Sequence, residues 1–404
     1  MKVKIEKSVA LGVVKAPPSK SMAHRLLIAA GLAEGESRIC GVSTCDDALA
    51  TMDCLRALGA EITVDGDDVT VRGIDPRTAV PRGALVCRES GSTLRFFVPI
   101  CLLSGTECRL EGTEKLMSRP LSVYERLCRE RGFDYRLEDT RLTVSGRLTE
   151  GDIYLPGDVS SQFITGLLLA LPFCEGDSRI HITTKIESRS YIDMTLAAMA
   201  EFSVKAFWED EHTLLIPGNQ RYLPRSVSVE GDYSGAAFLL ALDTLGGEVT
   251  VEGLCDDSTQ GDKVCRELLS RLAEGYCEIS VEDCPDLAPI LFTVAAALHG
   301  GRFTDTRRLR IKESDRAAAM AEELGKFGAD IRVLENEVEV RKCELHTPST
   351  TLLGHNDHRV VMSLAVLSTL FGGVIDGAEA ISKSYPDFFS DIERLGIKVQ
   401  KDEF

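Results

Sequence analysis

The chain repeats itself with a period of about seventy residues, and that period constrains the fold more than any single motif does. Each copy opens on small or polar residues, runs through an apolar stretch, and closes at glycine ahead of a strand-like segment. The copies begin at Ser19-Lys20-Ser21, Ser90-Gly91-Ser92, Ser160-Ser161-Gln162, Tyr233-Ser234-Gly235, Pro285-Asp286 and Asn356-Asp357-His358. Starts at 19, 90, 160, 233, 285 and 356 give steps of 71, 70, 73, 52 and 71, so the fourth copy is short by roughly a hairpin. The apolar stretches are hydrophobic nearly all round, which predicts helices buried on several faces. Between them lies an amphipathic helix and two alternating strands, clearest at Ala48 to Leu58 followed by Glu61–Asp65 and Asp68–Arg72. The unit therefore reads strand, helix, strand, helix, two strands. A chain of 404 residues exceeds one ordinary core. The expectation is an α/β (α+β) protein of six βαβαββ units, three per domain, each domain with pseudo-threefold symmetry.

Charge narrows the partners. Sixty-three acidic residues against 46 basic ones give a net charge of −17, which argues against nucleic acid or an anionic membrane surface. Thirteen cysteines occur without a C-x-x-C pair, so neither a disulfide framework nor a metal site is indicated. The first residues carry no signal-type apolar core, and no apolar run is long enough to span a bilayer. A cytoplasmic monomer with small-molecule partners and no cofactor is expected.

Function is read at the starts of the buried helices. Ser, Gly, Asn and Asp there cap exposed N–H groups, and the helix dipole is positive at that end. Cations accompany several of these caps: Lys20 and Arg25, Arg95, His358-Arg359. Parallel repeats would aim several such ends at one face, a setting for anions. The densest charge run is Arg307-Arg308-Leu309-Arg310-Ile311-Lys312-Glu313-Ser314-Asp315-Arg316. Lys312 to Arg316 read as the first turn of a helix, with Lys312 and Arg316 on one face and Glu313 between two cations. An acid so placed suits proton transfer beside an anionic substrate.

Seven motifs in register then point to one family. Pro18-Ser19-Lys20-Ser21-Met22-Ala23-His24-Arg25, Glu89-Ser90-Gly91-Ser92-Thr93-Leu94-Arg95, Ser118-Arg119-Pro120, Val159-Ser160-Ser161-Gln162-Phe163, Arg310 to Arg316, Asn356-Asp357-His358-Arg359 and Lys383-Ser384-Tyr385-Pro386-Asp387-Phe388 together resemble the 3-phosphoshikimate 1-carboxyvinyltransferases. The resemblance implies transfer of the enolpyruvyl group of phosphoenolpyruvate to the 5-hydroxyl of shikimate 3-phosphate, in the shikimate pathway. It implies the two-domain enolpyruvyl transferase fold, with 1–15 and 226–404 in one domain, 16–225 in the other, and the active site in the cleft between them. By similarity, Lys20, Ser21, Arg25, Ser160, Ser161, Gln162, Ser188, Asp286 and Lys312 hold shikimate 3-phosphate. Lys20, Gly91, Arg119, Gln162, Arg316, Arg359 and Lys383 hold phosphoenolpyruvate, whose phosphate and carboxylate demand several cations. Glu313 is implied as the acid and base at the methylene carbon and Asp286 on the hydroxyl side, with Lys312 and Lys20 completing the catalytic set. The resemblance also makes the chain a glyphosate target. No metal or cofactor is implied.

Two positions depart from the common pattern, Glu89 and Arg308. The sister enzyme acting on UDP-N-acetylglucosamine is the nearest alternative. It is disfavoured because its loop cysteine would fall at Glu114 and its Lys-Asn at Lys20-Ser21. A non-catalytic anion-binding repeat protein is the other alternative, and it would not keep the charged set intact.

Overall fold

A computed structural model describes residues 1–402. The chain forms two compact units, residues 20–230 and residues 1–19 with 231 onward, each around its own hydrophobic core. The dominant element in both is the buried helix that opens each repeat. These six helices are Lys20–Gly31, Gly91–Cys101, Ser161–Ala170, Tyr233–Thr244, Ala288–Ala297 and His358–Phe371. Only one to three residues of each reach solvent even in part, as apolarity on all sides requires.

In the unit of residues 20–230 there are three four-stranded sheets, and each joins a parallel pair to an antiparallel hairpin. Ser226–Ser228 runs parallel to Gly35–Cys40, which pairs antiparallel with Asp68–Gly73, which pairs with Glu61–Asp65. Leu85–Arg88, Cys108–Gly112, Arg141–Ser145 and Asp134–Leu137 repeat this order, as do Gly151–Leu155, Ser178–Ile182, Thr213–Ile216 and Phe207–Trp208. In two of the sheets the parallel pair requires a crossover that the buried helix supplies, as Ser161–Ala170 does between Gly151–Leu155 and Ser178–Ile182. In the third, Ser226–Ser228 joins Gly35–Cys40 from the far end of the unit.

The other unit also has three sheets. Cys277–Ser280, Gly301–Thr304, Glu337–Arg341 and Asp330–Val333 form one with the same pattern. In the second, Lys2–Ile5 lies antiparallel between Gly373–Asp376 and Val399–Asp402, and Leu352–Leu353 completes the edge. The third has two strands, Leu11–Lys15 parallel to Glu248–Glu252. This is the shortened fourth copy. Its hairpin is missing, and Leu11 and Val13 remain exposed.

The units divide after Ser19 and after Glu230, a few residues beyond the expected edges at 15/16 and 225/226. Hydrogen bonds explain the difference. Ala16 donates to the Glu252 carbonyl and Asp232 to the Pro17 carbonyl, which holds residues 16–19 with the later segment. Ser226–Ser228 instead extends the Gly35–Cys40 sheet, and Val229 donates to the Cys40 carbonyl.

Close helix approach shapes residues 20–230. The Gly91–Cys101 and Ser161–Ala170 helices meet at Gly166, where a Cβ would collide with the Tyr124 hydroxyl and the Arg95 carbonyl. That hydroxyl lies 2.8 Å from the Arg95 carbonyl and 3.0 Å from that of Phe163, so it ties both helices together. Gly166→Ala is expected to part them and cost about 1–3 kcal/mol. Urea unfolding would measure this, and an unchanged midpoint would refute the contact.

Candidate active site

In the unit of residues 20–230 the polar residues gather at three buried-helix starts. Ser90 caps its helix by accepting from the Thr93 N–H, and Ser160 does so from that of Gln162. Gln162 then links the two starts: Arg95 Nη1 donates to its Oε1 at 2.6 Å, and its Nε2 donates to Ser92 Oγ at 2.9 Å. Gly91 sits against this group, and a Cβ there would lie 3.0 Å from Arg119 Nη1 and 3.2 Å from Arg95 Nη1. At the first helix, Arg25 Nη1 donates to the Ser21 carbonyl, its Nη2 to the Tyr191 carbonyl and its Nε to Thr195 Oγ1 at 2.9 Å. Lys20 pairs with Asp47 at 3.0 Å. Ser161 is buried on the third helix. Ser188 is also buried, in the left-handed region with φ 59°, a strain of about 1–3 kcal/mol that marks functional turns.

In the other unit a denser cluster forms around Arg316, which is 1% exposed. Its Nε donates to Asp357 Oδ2 at 2.9 Å, its Nη1 to Asp286 Oδ1 at 2.7 Å and its Nη2 to Glu313 Oε2 at 2.6 Å. Asp286 is shared further: Lys312 Nζ lies 3.3 Å from Oδ1 and Arg359 Nη2 3.2 Å from Oδ2. Asp357 is fully buried, caps the sixth helix through the Arg359 N–H, and accepts from Ser314 Oγ at 3.0 Å. Just before it, His355 and Asn356 both adopt positive φ, and Lys383 Nζ donates to the Asn356 carbonyl at 2.8 Å. Thus Asp286, Lys312, Glu313, Arg316 and Arg359 form one contiguous site, with Lys383 at its side.

Electrostatics set each group's state. Burial pushes the Asp286 carboxyl up, but Arg359, Lys312 and Arg316 outweigh it and hold the group well below the usual carboxylate range. Asp357 is likewise held low, burial being overcome chiefly by Arg316. Lys312 moves down: burial, Arg308 and Arg316 outweigh the attraction of Asp286. Arg308, the residue that departs from the common pattern, is therefore a buried neighbour of this cluster. Asp262 is also buried, and its carboxyl is raised to about 7 by burial first and by Asp286 second.

One expectation is corrected. Lys312 and Arg316 do not share a helical face. The segment Arg307–Ile311 is a 3-10 turn, Lys312 is extended, and the helix begins at Arg316 with Asp315 as its cap, accepting from the Ala318 N–H. A capping residue must leave the helix, so the residues before it cannot form its first turn. Lys312 and Arg316 converge because both reach Asp286, while the Glu313–Arg316 pair stands as expected. Sequence reasoning gave no role to Asp47, Tyr191, Thr195 or Asp262, and it read Asp357 as a helix-start cap without its pairing to Arg316. Asp357 had a signal, since it stands between Asn and His at a repeat start. Nothing separated Asp262 from the other acids.

Comparisons with known proteins agree along the whole chain. The EPSP synthase (3-phosphoshikimate 1-carboxyvinyltransferase) family profile matches residues 5–392. A 3-phosphoshikimate 1-carboxyvinyltransferase of Clostridium perfringens is 40% identical, covering 98% of each chain, and one of Clostridium kluyveri is 38% identical, covering 96% of each. Among solved structures, an EPSP synthase from Acinetobacter baumannii superposes with a TM-score of 0.80 at 23% identity, covering 99% of this chain and 100% of that one. The enolpyruvyl transferase NikO from Streptomyces tendae gives 0.79 at 16% identity, covering 99% and 98%. These likenesses establish the enolpyruvyl transferase fold. No helix among the described residues is long and apolar enough to cross a membrane.

Asp357→Asn should destabilise the fold by about 3–5 kcal/mol, because it strips a charge partner from a buried guanidinium. The sign with pH follows from the lowered carboxyl. Its stabilising share is present above the ordinary carboxylate pKa of about 4 and is lost as pH falls through the folded value. The parent should therefore lose more stability than the variant on acidification. Equal acid sensitivity in thermal unfolding would contradict the pairing.

Proposed function

The chain belongs to the EPSP synthase (3-phosphoshikimate 1-carboxyvinyltransferase) family and transfers the enolpyruvyl group of phosphoenolpyruvate to shikimate 3-phosphate, and we propose that the Arg316 cluster and the Gly91–Gln162 group carry that reaction. The observation behind the assignment is the set of buried cations held by the protein's own carboxylates. Phosphoenolpyruvate brings a phosphate and a carboxylate, and Arg316, Arg359 and Lys383 supply matching donors in one unit. Lys20, Gly91, Arg119 and Gln162 supply the rest in the other. Shikimate 3-phosphate takes Lys20, Ser21, Arg25, Ser160, Ser161, Gln162 and Ser188, whose hydroxyls and guanidinium suit a triol bearing phosphate and carboxylate, together with Asp286 and Lys312. The enzyme acts as a cytoplasmic monomer, in a compartment where its thirteen free cysteines persist as thiols.

The reaction moves two protons. One goes to the methylene carbon as the 5-hydroxyl attacks its neighbour, and it returns as phosphate leaves. Glu313 is assigned to the carbon, since its Oε2 lies 2.6 Å from Arg316 Nη2 and so is fixed beside the cations that receive the substrate anions. The hydroxyl proton goes to the Asp286–Lys312 pair. Asp286 alone is a weak base while three cations hold it. An arriving substrate anion takes over part of their charge and restores its basicity, and Lys312, already shifted down, shares the proton. Lys20 and the arginines stabilise the departing phosphate.

Glu313→Gln preserves shape and removes the titrating proton. It should lower kcat by about 10²–10⁴ while KM values move only a few-fold. Phosphate release with both substrates, and none with either alone, tests the reaction itself. A variant with raised KM and intact kcat would sink the role of Glu313.

Gly91→Ala tests the other unit. The new methyl would press on Arg119 and Arg95 at 3.0 and 3.2 Å. Affinity for phosphoenolpyruvate should fall several-fold. Glyphosate, which competes for that site and is slightly longer, should weaken by a further tenfold or so, the usual worth of one methyl in a tight pocket. Identical inhibition curves for parent and variant would show that Gly91 does not line the pocket.

A further inference from the structure

The cation cluster accounts for three carboxylates, Asp286, Glu313 and Asp357, each held by Arg316. A fourth carboxylate of the same unit has no ion-pair contact among the described residues. Asp262 is 3% exposed, in the short turn Gly261–Val264, and its Oδ2 accepts from the Ser234 hydroxyl in the first turn of the fourth buried helix. Its Oδ1 is buried with no hydrogen-bond partner, and no Lys, Arg or His lies within ion-pair distance among the described residues. The adjacent Lys263 points elsewhere, to the Ser258 carbonyl at 2.9 Å. A buried carboxylate with a bare oxygen is costly, whereas a neutral carboxyl in the same place is far less so.

The neighbours make that choice consequential. Asp286 and Arg359 both act electrostatically on Asp262, from the 3-10 turn Pro285–Leu287 and the sixth buried helix. Asp232, the cap of the fourth helix, adds a further negative charge. Two thiols complete the surroundings. Cys265 opens the Cys265–Glu274 helix and Cys284 precedes Pro285, and both are kept protonated mainly by burial and then by Asp262. Arg359 acts on Asp262 across space, and the same guanidinium holds Asp286 at 3.2 Å.

We propose that Asp262 is a positioning residue for the anion cluster: as a neutral acid it leaves Arg359 its charge for substrate, and as a carboxylate it takes part of that charge away. The proton is exchanged with water, and no covalent step is involved. The raised carboxyl, at about 7, puts this exchange in the physiological range. Loss of the proton adds a negative charge behind Asp286 and Arg359, so phosphoenolpyruvate binds less tightly as pH rises. The inference rests on the assignment of Arg359 to phosphoenolpyruvate made above.

Asp262→Asn keeps the size and the acceptor for Ser234 but cannot ionise. The measurement is KM for phosphoenolpyruvate in the parent divided by that in the variant, from pH 6 to 8.5. Titration of the substrate itself cancels in this ratio. The ratio should climb about tenfold or more across neutrality, the effect of one unit charge some ångströms away at a protein-like dielectric. A flat ratio overturns the proposal, because a merely structural role would shift KM equally at every pH. Should the Asn variant not fold, Ser234→Ala serves instead. Losing the hydroxyl that stabilises the carboxylate should move the midpoint of the KM profile to higher pH, and an unmoved midpoint is equally fatal. A parent without turnover would sink the functional assignment alone. The same ratio is then read from inorganic phosphate affinity by calorimetry.

Discussion

Arg316 is the interaction on which the later unit depends. A guanidinium removed from water is tolerated only where its donors are met by charge, and here three carboxylates from three places in the chain meet them. Each of those carboxylates has a second duty. Asp357 caps a helix, Asp286 gathers Lys312 and Arg359, and Glu313 closes the turn that precedes the Arg316 helix. The fold and the site therefore cannot be separated at this point. Any change that repositions the sixth helix alters the charge seen by a bound anion.

The same logic explains how a protein of net charge −17 can offer a cationic site. Outside the run at 307–316 the positive charges are spread along the chain. They are fixed by local acceptors: Arg25 by two carbonyls and a threonine, Lys20 by Asp47, Lys383 by the Asn356 carbonyl. Held side chains lose little rotamer freedom on binding, so more of the electrostatic attraction remains as affinity.

Much of this was legible in the sequence because the repeat carries it. Period and apolarity gave the six buried helices and the caps Ser90, Ser160 and Asp357. The fourth helix is instead capped by Asp232, just before the expected start, and the fifth begins at Ala288 without a side-chain cap. The missing hairpin of the fourth copy emerges as a two-stranded sheet. The charged run at 307–316 was legible as a meeting place of opposite charges but not in its shape. Periodicity extends naturally back from Ala317, and only the cap formed by Asp315 reveals where the helix stops. Asp262 was illegible for a different reason. What sets it apart is a buried oxygen without a hydrogen-bond partner, and a contact that is missing leaves no trace in sequence. Boundaries between the units escaped by a few residues because they are decided by single hydrogen bonds, such as Ala16 to the Glu252 carbonyl.

The placement of the first strand also has a consequence for how the chain comes into being. Residues 20–230 hold all their sheet partners among themselves, so the ribosome releases that unit with every strand already available. Lys2–Ile5 emerges before that unit, yet its neighbours are Gly373–Asp376 and Val399–Asp402, nearly four hundred residues later. At synthesis rates of about 5–20 residues per second, that strand must wait tens of seconds without a partner. Its inward side chains, Val3 and Ile5, are fully buried only at the end. The alternation that keeps Lys2 and Lys4 between them is what a strand needs to stay soluble while it waits.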